Sequence, residues 1–262
     1  MAKMHFKYAS MNSGKSIDLM RTAYNYEENG YKVLVLKPAI DTKAGNKISS
    51  RIGLERDVDF LIFEGDSVIK KIGSSISGVN AILVDEAQFL KASQVDELWM
   101  ISKVMNVAVL CYGLRTNFML ESFEGSKRLL ELADVLEELT TLCSCGNIAR
   151  YVGRKRNGVF EIDGEEVVID GTCNIEYVPL CGECYLKKVK KINFKKVKGE
   201  IQGENRNWYW WYYIRNICYA FGICTKIYNR RIKNIYVSTR VGCFPRWVQR
   251  NNFRRTDACL NV

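Results

Sequence analysis

Apolar residues along this chain alternate between short unbroken runs and spaced stripes. Met4–Tyr8 reads as a short strand, and the loop behind it ends in Ser13-Gly14-Lys15-Ser16. Apolar positions at Ile17, Met20, Ala23 and Tyr24 then predict a helix, which Gly30 closes. Val33–Leu36 is a solid apolar run, the pattern of a strand buried on both faces of a parallel sheet. Asp41–Asp59 is polar, holds two glycines, and predicts a mobile loop followed by an irregular segment. Ala81–Val84 is another buried strand, ending at Asp85-Glu86. Ser93 is placed to cap a helix running toward Lys103, Val107–Cys111 predicts a fourth strand, and Ser122 starts a helix through Ala133. Strand, loop, helix and strand in alternation predict a three-layer α/β domain with a mainly parallel sheet.

Past residue 140 the texture changes. Cysteines cluster, glycines recur, and Val159–Ile169 predicts a hairpin around Asp163-Gly164. The expected division is a domain over residues 1–140, a smaller lobe over 141–191 and an extension over 192–262.

Charge sharpens that division. The net +10 of the 262 residues suggests a nucleic-acid partner. Its distribution argues otherwise. Residues 1–191 carry 25 Lys and Arg against 26 Asp and Glu, so the whole excess lies in 192–262. No nucleic-acid partner is therefore expected for 1–191. No run of about 18 apolar residues exists, so no membrane span is expected. Met1–Lys7 lacks the apolar stretch of a secretory signal, and a cytoplasmic location is expected. Disulfides are rare there, so the ten cysteines read as free thiols or metal ligands.

Three clusters carry chemistry. Ala9-Ser10-Met11-Asn12-Ser13-Gly14-Lys15-Ser16 fits the phosphate-cradling pattern G-x-x-x-x-G-K-[ST] except at its first position, where Ala replaces Gly. In such a loop, backbone N–H groups and a helix N-terminus surround ATP phosphates. Lys15 would reach the β- and γ-phosphates and Ser16 would ligate Mg²⁺. Alone, Gly-Lys-Ser is equally a helix start; a strand before it and an amphipathic helix after it favour the phosphate site. The second cluster is Asp85-Glu86 at the end of a buried strand. An Asp there holds Mg²⁺ in P-loop enzymes, and a neighbouring carboxylate can take a proton from an attacking hydroxyl. Without the phosphate loop, the pair is an ordinary acidic strand end. The third is Cys143-x-Cys145 with Cys181-x-x-Cys184, a spacing that suits a structural, tetrahedral Zn²⁺ site with no open position. A lobe this small lacks a sufficient core, and a metal supplies folding energy.

Together these residues resemble the type II thymidine kinases, particularly their bacterial branch. The resemblance runs through most of 1–191. It is carried by Met11–Ser16, Ser49–Leu54, Val84–Phe89, Cys111–Phe118 and Tyr177–Tyr185. It implies a P-loop NTPase-like fold with a zinc-ribbon-like lobe, and transfer of the γ-phosphate of ATP to the 5′-hydroxyl of thymidine to give dTMP. It implies Glu86 as base, Asp41 beside Ser16 and Asp85 as Mg²⁺-associated, and an ATP-contacting set that takes in Asp85, Glu86, Ala87 and Gln88 along with Ala9–Ser16. Lys43 stands where the family usually has Arg. Phe89, Leu114, Phe118 and Phe123 would surround the base. For these apolar residues, plain core packing is the alternative. Val168, Ile169, Asp170 and Tyr177 fall on a loop that holds the thymine edge. The resemblance also implies a homotetramer and dTTP as feedback inhibitor in the acceptor site. A P-loop ATPase acting on nucleic acid is the competing class, and the neutral charge of 1–191 weighs against it.

Residues 192–262 match nothing in that family. They hold four of the five tryptophans, including Trp208, Trp210 and Trp211. Basic residues interleaved with aromatics can bind single strands. The favoured reading is a poorly ordered extension without evolved structure.

Overall fold

The structure is a computed structural model that describes residues 1–41, 45–167, 174–194 and 197. Lys43, Val168, Ile169, Asp170 and nearly all of the 192–262 extension lie outside the described residues.

The chain begins with strand β1 (Met4–Ala9), helix α1 (Lys15–Glu28) and strand β2 (Lys32–Pro38). Strands β3 (Lys47–Ser49), β4 (Glu55–Asp57) and β5 (Phe60–Ile62) follow, then α2 (Val68–Ile72) and β6 (Val79–Val84). Helix α3 (Ala92–Val104), β7 (Ala108–Leu114), α4 (Glu124–Leu132) and β8 (Val135–Leu139) complete the body. Six of these strands form one sheet in the order β5-β2-β6-β7-β1-β8, with every pairing parallel.

The apolar runs are unbroken because both faces of the sheet are covered. Ile82 and Val84 of β6 join Leu36, Phe6 and Val109 beneath α2, α3 and α4, through Ile72, Leu98 and Leu129. Ala81 and Leu83 point the other way, toward Leu19 and Ala23 of α1. The three-layer α/β arrangement expected from the sequence is the one observed.

Several local expectations need correction. On α1 the buried positions are Lys15, Leu19 and Ala23, while Tyr24 is exposed. The inward turn of Lys15 fixes the face, and residues four apart share it. The segment expected to be irregular before Asp59 holds a strand pair: β3 and β4 run antiparallel, with Ile48 buried. Helix α3 starts at Ala92 rather than from a Ser93 cap, and the side chain of Gln94 accepts from the N–H of Lys91. Helix α4 starts at Glu124, after Phe123 has packed edge-on against Phe89, and not at Ser122.

The lobe contains β9 (Thr141–Leu142), β10 (Ile148–Ala149), β11 (Tyr151–Arg156), β12 (Val159–Phe160), β13 (Ile175–Leu180) and α5 (Gly182–Lys188). β9 and β10 form a ribbon, and β12-β11-β13 an antiparallel sheet. The hairpin turns at Asn157-Gly158, both with positive φ, and not at Asp163-Gly164. Two left-handed residues match the strand twist, which explains the choice. Among the described residues no helix is long and apolar enough to cross a membrane.

Candidate active site

The sheet itself makes the site. β6 ends at Val84, level with Cys111 of β7, which is level with Phe6 of β1. β7 and, beyond it, β1 continue to Leu114 and Ala9, leaving a step at the carboxyl edge, where ligands of open α/β sheets bind.

After Ala9 the backbone turns through two left-handed residues, Asn12 (φ 61°) and Gly14 (φ 80°), before entering α1. Nothing crowds a Cβ at Gly14, so the conformation and not the space calls for glycine. Lys15 is buried, and its Nζ donates to the carbonyl of Ser10 at 3.2 Å. Burial pushes its ammonium below the usual lysine range, Glu86 and Asp85 oppose that, and Arg51 adds to it. Ser16 Oγ donates to Asp85 Oδ2 at 3.2 Å, while Asp85 Oδ1 and Ser13 Oγ are buried without a partner. Burial, and then the charge of Glu86, raise the Asp85 carboxyl to about 7 against the pull of Lys15.

Glu86 has left-handed backbone angles, φ 47° and ψ 39°. For a non-glycine residue this costs on the order of 1–3 kcal/mol, which the surroundings must hold in place. Gln88 does part of that. Its Nε2 donates to Glu86 Oε2, and its Oε1 accepts from the N–H of Leu114 at 3.0 Å. The amide fits only because residue 113 is glycine: a Cβ there would lie 2.8 Å from Gln88 Oε1.

Glu86 and Gln88 also line a cleft, with Met11, Asp41, Phe89, Leu114, Phe118, Phe123 and Tyr177. These are sequence-predicted site residues from five separate stretches, brought together in one place. Asp41 Oδ2 pairs with Nζ of the buried Lys37 at 2.9 Å. The cleft has further walls that sequence reasoning missed: Ile40, Thr116, Asn117, Val152, Glu166 and Val167. Thr116 and Asn117 lie inside the Cys111–Phe118 segment, which was the available signal. Val152 and Glu166 gave none, because only the folding of the lobe brings them there.

The lobe grips the loop between β1 and α1. Ser10 Oγ donates to the carbonyl of Tyr151 at 3.0 Å, and Thr141 Oγ1 donates to the carbonyl of Asn12 at 3.1 Å. Beyond these tethers, Cys143, Cys145, Cys181 and Cys184 bring their sulfurs within 4.8 Å of one another. A tetrahedral thiolate shell with metal–sulfur bonds of about 2.3 Å needs sulfurs about 3.8 Å apart, so the quartet can hold a metal ion. Burial pushes the Cys143 thiol up, but backbone N–H groups of Cys145 and Cys181 more than offset this, with further help from the thiols of Cys145 and Cys184, and bring it to about 6. The turn after Cys143 closes when Gly146 N–H donates to its carbonyl at 2.9 Å. Cys181 caps α5, its sulfur accepting from the N–H of Cys184 at 3.4 Å.

Comparison with known proteins gives consistent matches. The family model described as Thymidine kinase matches residues 2–185. A thymidine kinase of Mannheimia succiniciproducens is 41% identical over 197 residues, 74% of this chain and 100% of that protein. One of Haemophilus influenzae is 42% identical over 193 residues, covering 70% and 100%. One of Francisella tularensis is 39% identical over 188 residues, covering 69% and 95%.

Proposed function

Because the chain belongs to the thymidine kinase family, we propose that it transfers the γ-phosphate of ATP to the 5′-hydroxyl of thymidine, giving dTMP and ADP for nucleotide salvage. The observation that carries the reading is a carboxylate shared by two environments. The charge of Glu86 acts on the buried Lys15, and its side chain lines the aromatic cleft.

Phosphoryl transfer asks the protein for alignment and charge compensation more than for covalent chemistry. Residues 9–16 would cradle the phosphates, with Lys15 offsetting their charge. Asp85, Ala87 and Gln88 would complete the ATP-contacting set. Ser16, Asp41 and Asp85 would hold Mg²⁺, and the unpaired Asp85 Oδ1 supports that assignment. When bound, Mg²⁺ neutralises phosphate charge. Glu86 would orient the 5′-hydroxyl and take its proton, its carboxylate held toward the cleft by Gln88. Phe89, Leu114, Phe118, Phe123 and Tyr177 would pack about the thymine, with Val168, Ile169 and Asp170 on the covering loop. Water excluded from this apolar cleft cannot compete with the nucleoside.

The four cysteines would hold a structural Zn²⁺, since four thiolates leave no position for substrate. The reading further takes residues 1–140 as the kinase domain and 141–191 as the zinc lobe. It also includes a homotetramer in the cytoplasm and dTTP inhibition through the acceptor site.

The test is thymidine phosphorylation by the full chain and by a chain ending at Lys191, each also carrying Glu86→Gln. Both unaltered forms should be active, and Glu86→Gln should lower kcat by roughly 10²–10⁴-fold. An active Glu86→Gln enzyme removes the base assignment. DNA-stimulated ATP hydrolysis without dTMP overturns the function itself.

A further inference from the structure

Arg154, in the middle of β11, is among the largest fully buried side chains of the protein, at 1% exposure. A guanidinium carries five N–H donors and cannot shed its charge, so full burial demands partners. One of those partners, Phe118, lines the acceptor cleft, and the others lie in the segment that leads to Glu166 and Val167 of its wall. The guanidinium lies over the Phe118 ring, 3.7 Å from its centroid, in cation–π contact. Its Nε donates to Glu161 Oε2 and its Nη1 to the carbonyl of Glu165. Gly164 lies against Nη2, where a Cβ would come within 2.6 Å.

The segment it grips, residues 161–167, contains no helix or strand. Nothing periodic holds it, yet Glu166 and Val167 at its end line the cleft. Arg156 Nε also holds it at Glu161 Oε1, at 2.6 Å, and Asn117 Nδ2 donates to Glu166 Oε1 at 3.2 Å. Phe118 is pinned in turn at its backbone, its carbonyl accepting from Tyr185 OH at 2.6 Å. Arg154 thus touches both the aromatic floor, at Phe118, and the irregular segment that leads to the wall.

We propose that Arg154 is a positioning residue for the nucleoside, setting acceptor affinity by fixing Phe118 and residues 161–167 against each other. It is not a catalytic residue; it acts through Phe118, Glu166 and Val167. The proposal rests on the thymidine kinase reading of the cleft. Lysine is a poor substitute, because a point charge neither stacks on the ring nor spans Glu161 and the Glu165 carbonyl together.

The experiment measures KM for thymidine and for ATP, kcat, and bound zinc per chain in Arg154→Met, Arg154→Lys and the unaltered protein. Arg154→Met should raise the thymidine KM at least tenfold, leave the ATP KM within twofold and retain the zinc. Arg154→Lys should recover only part of the loss. Gly164→Ala guards against a variant that fails to fold. It keeps the buried charge, intrudes on Nη2 and also strains the backbone at a φ of 134°, and should raise the thymidine KM several-fold by itself. The proposal is overturned if the thymidine KM is unchanged in Arg154→Met or in Gly164→Ala, or if both KM values rise together. An unaltered chain that makes no dTMP overturns the functional reading, and this one with it. Normal turnover with an unmoved thymidine KM overturns this one alone.

Discussion

The sheet body buries an apolar layer on each of its two faces, from Phe6, Leu36 and Ile82 on one side to Val35, Leu83 and Leu19 on the other. Among the described residues, the lobe after Thr141 buries a cluster of six, and two of those are Cys143 and Cys181. Each fully buried aliphatic side chain contributes roughly 1.5–3 kcal/mol, so the body has many such terms and the lobe very few. A bound metal can add on the order of 10–16 kcal/mol in small zinc-dependent folds. Hydrocarbon thus holds the body and the aromatic floor of the cleft, whereas the lobe that supplies Val152, Glu166 and Val167 relies on its four sulfurs. The two regions differ in what would undo them.

Metal removal is the strongest way to separate them. Chelation, or Cys145→Ser, should abolish thymidine turnover while most of the far-ultraviolet circular dichroism of the sheet body remains. Restored turnover on adding Zn²⁺ to the chelated protein would complete the comparison. A single cooperative loss of all structure on chelation would break it, because body and lobe would then not be separately held.

Gly113→Ala probes the other side. The added methyl lies 2.8 Å from Gln88 Oε1 and 3.1 Å from Gln88 N, so the amide that holds Glu86 must shift. A displacement near 1 Å at a reacting group can cost about 10²-fold in rate, and that is the expected loss in kcat. Bound zinc should stay unchanged, and stability should fall by about 1–3 kcal/mol. Zinc loss in this variant would show that the lobe leans on the body more than its own contacts indicate.

The smallest expected effect is a pH dependence confined to the phosphate end. Burial, and next the charge of Glu86, raise the Asp85 carboxyl from 3.8 to about 7. Its ionisation therefore opposes the fold. That stability is fully present below the unfolded value, declines as pH rises and is gone above about 7. Binding of Mg²⁺–ATP favours the anion, so it should weaken roughly tenfold per unit as pH falls below 7, with uptake of a proton on release. Asp85→Asn should flatten the slope. Thymidine affinity measured without ATP should not follow it, and a parallel slope there would merge the two ends.

The body was the more legible region for the same physical reason that makes it stable. Val33–Leu36 and Ala81–Val84 are covered on both faces, so burial writes itself as an unbroken apolar run. Among the described residues β8 pairs only with β1, and it carries Glu137 and Glu138 and shows no such run. Lys15 reads as a surface residue by type, yet it is buried against acidic neighbours, and that displaced the expected face of α1. In the lobe, the cysteine quartet was legible from spacing alone. Arg154, Asn117 and Glu166 were not, since a lone polar residue in a strand or loop has no period to betray its partners. Asn157-Gly158 and Asp163-Gly164 are both turn dipeptides; the pairing of Arg156 with Val159 selects the first.

The position of β1 has a consequence for synthesis. Its two flanks are β7 and β8: His5 lies level with Leu110 on one side and Val135 on the other. A ribosome delivers Met4–Ala9 long before either flank exists. The nascent segment has no ladder to join until β7 emerges, and it stays half-paired until β8 does. The Ser13-Gly14-Lys15-Ser16 turn is thus translated before both flanks of its anchoring strand, and that strand is secured only when β8 arrives.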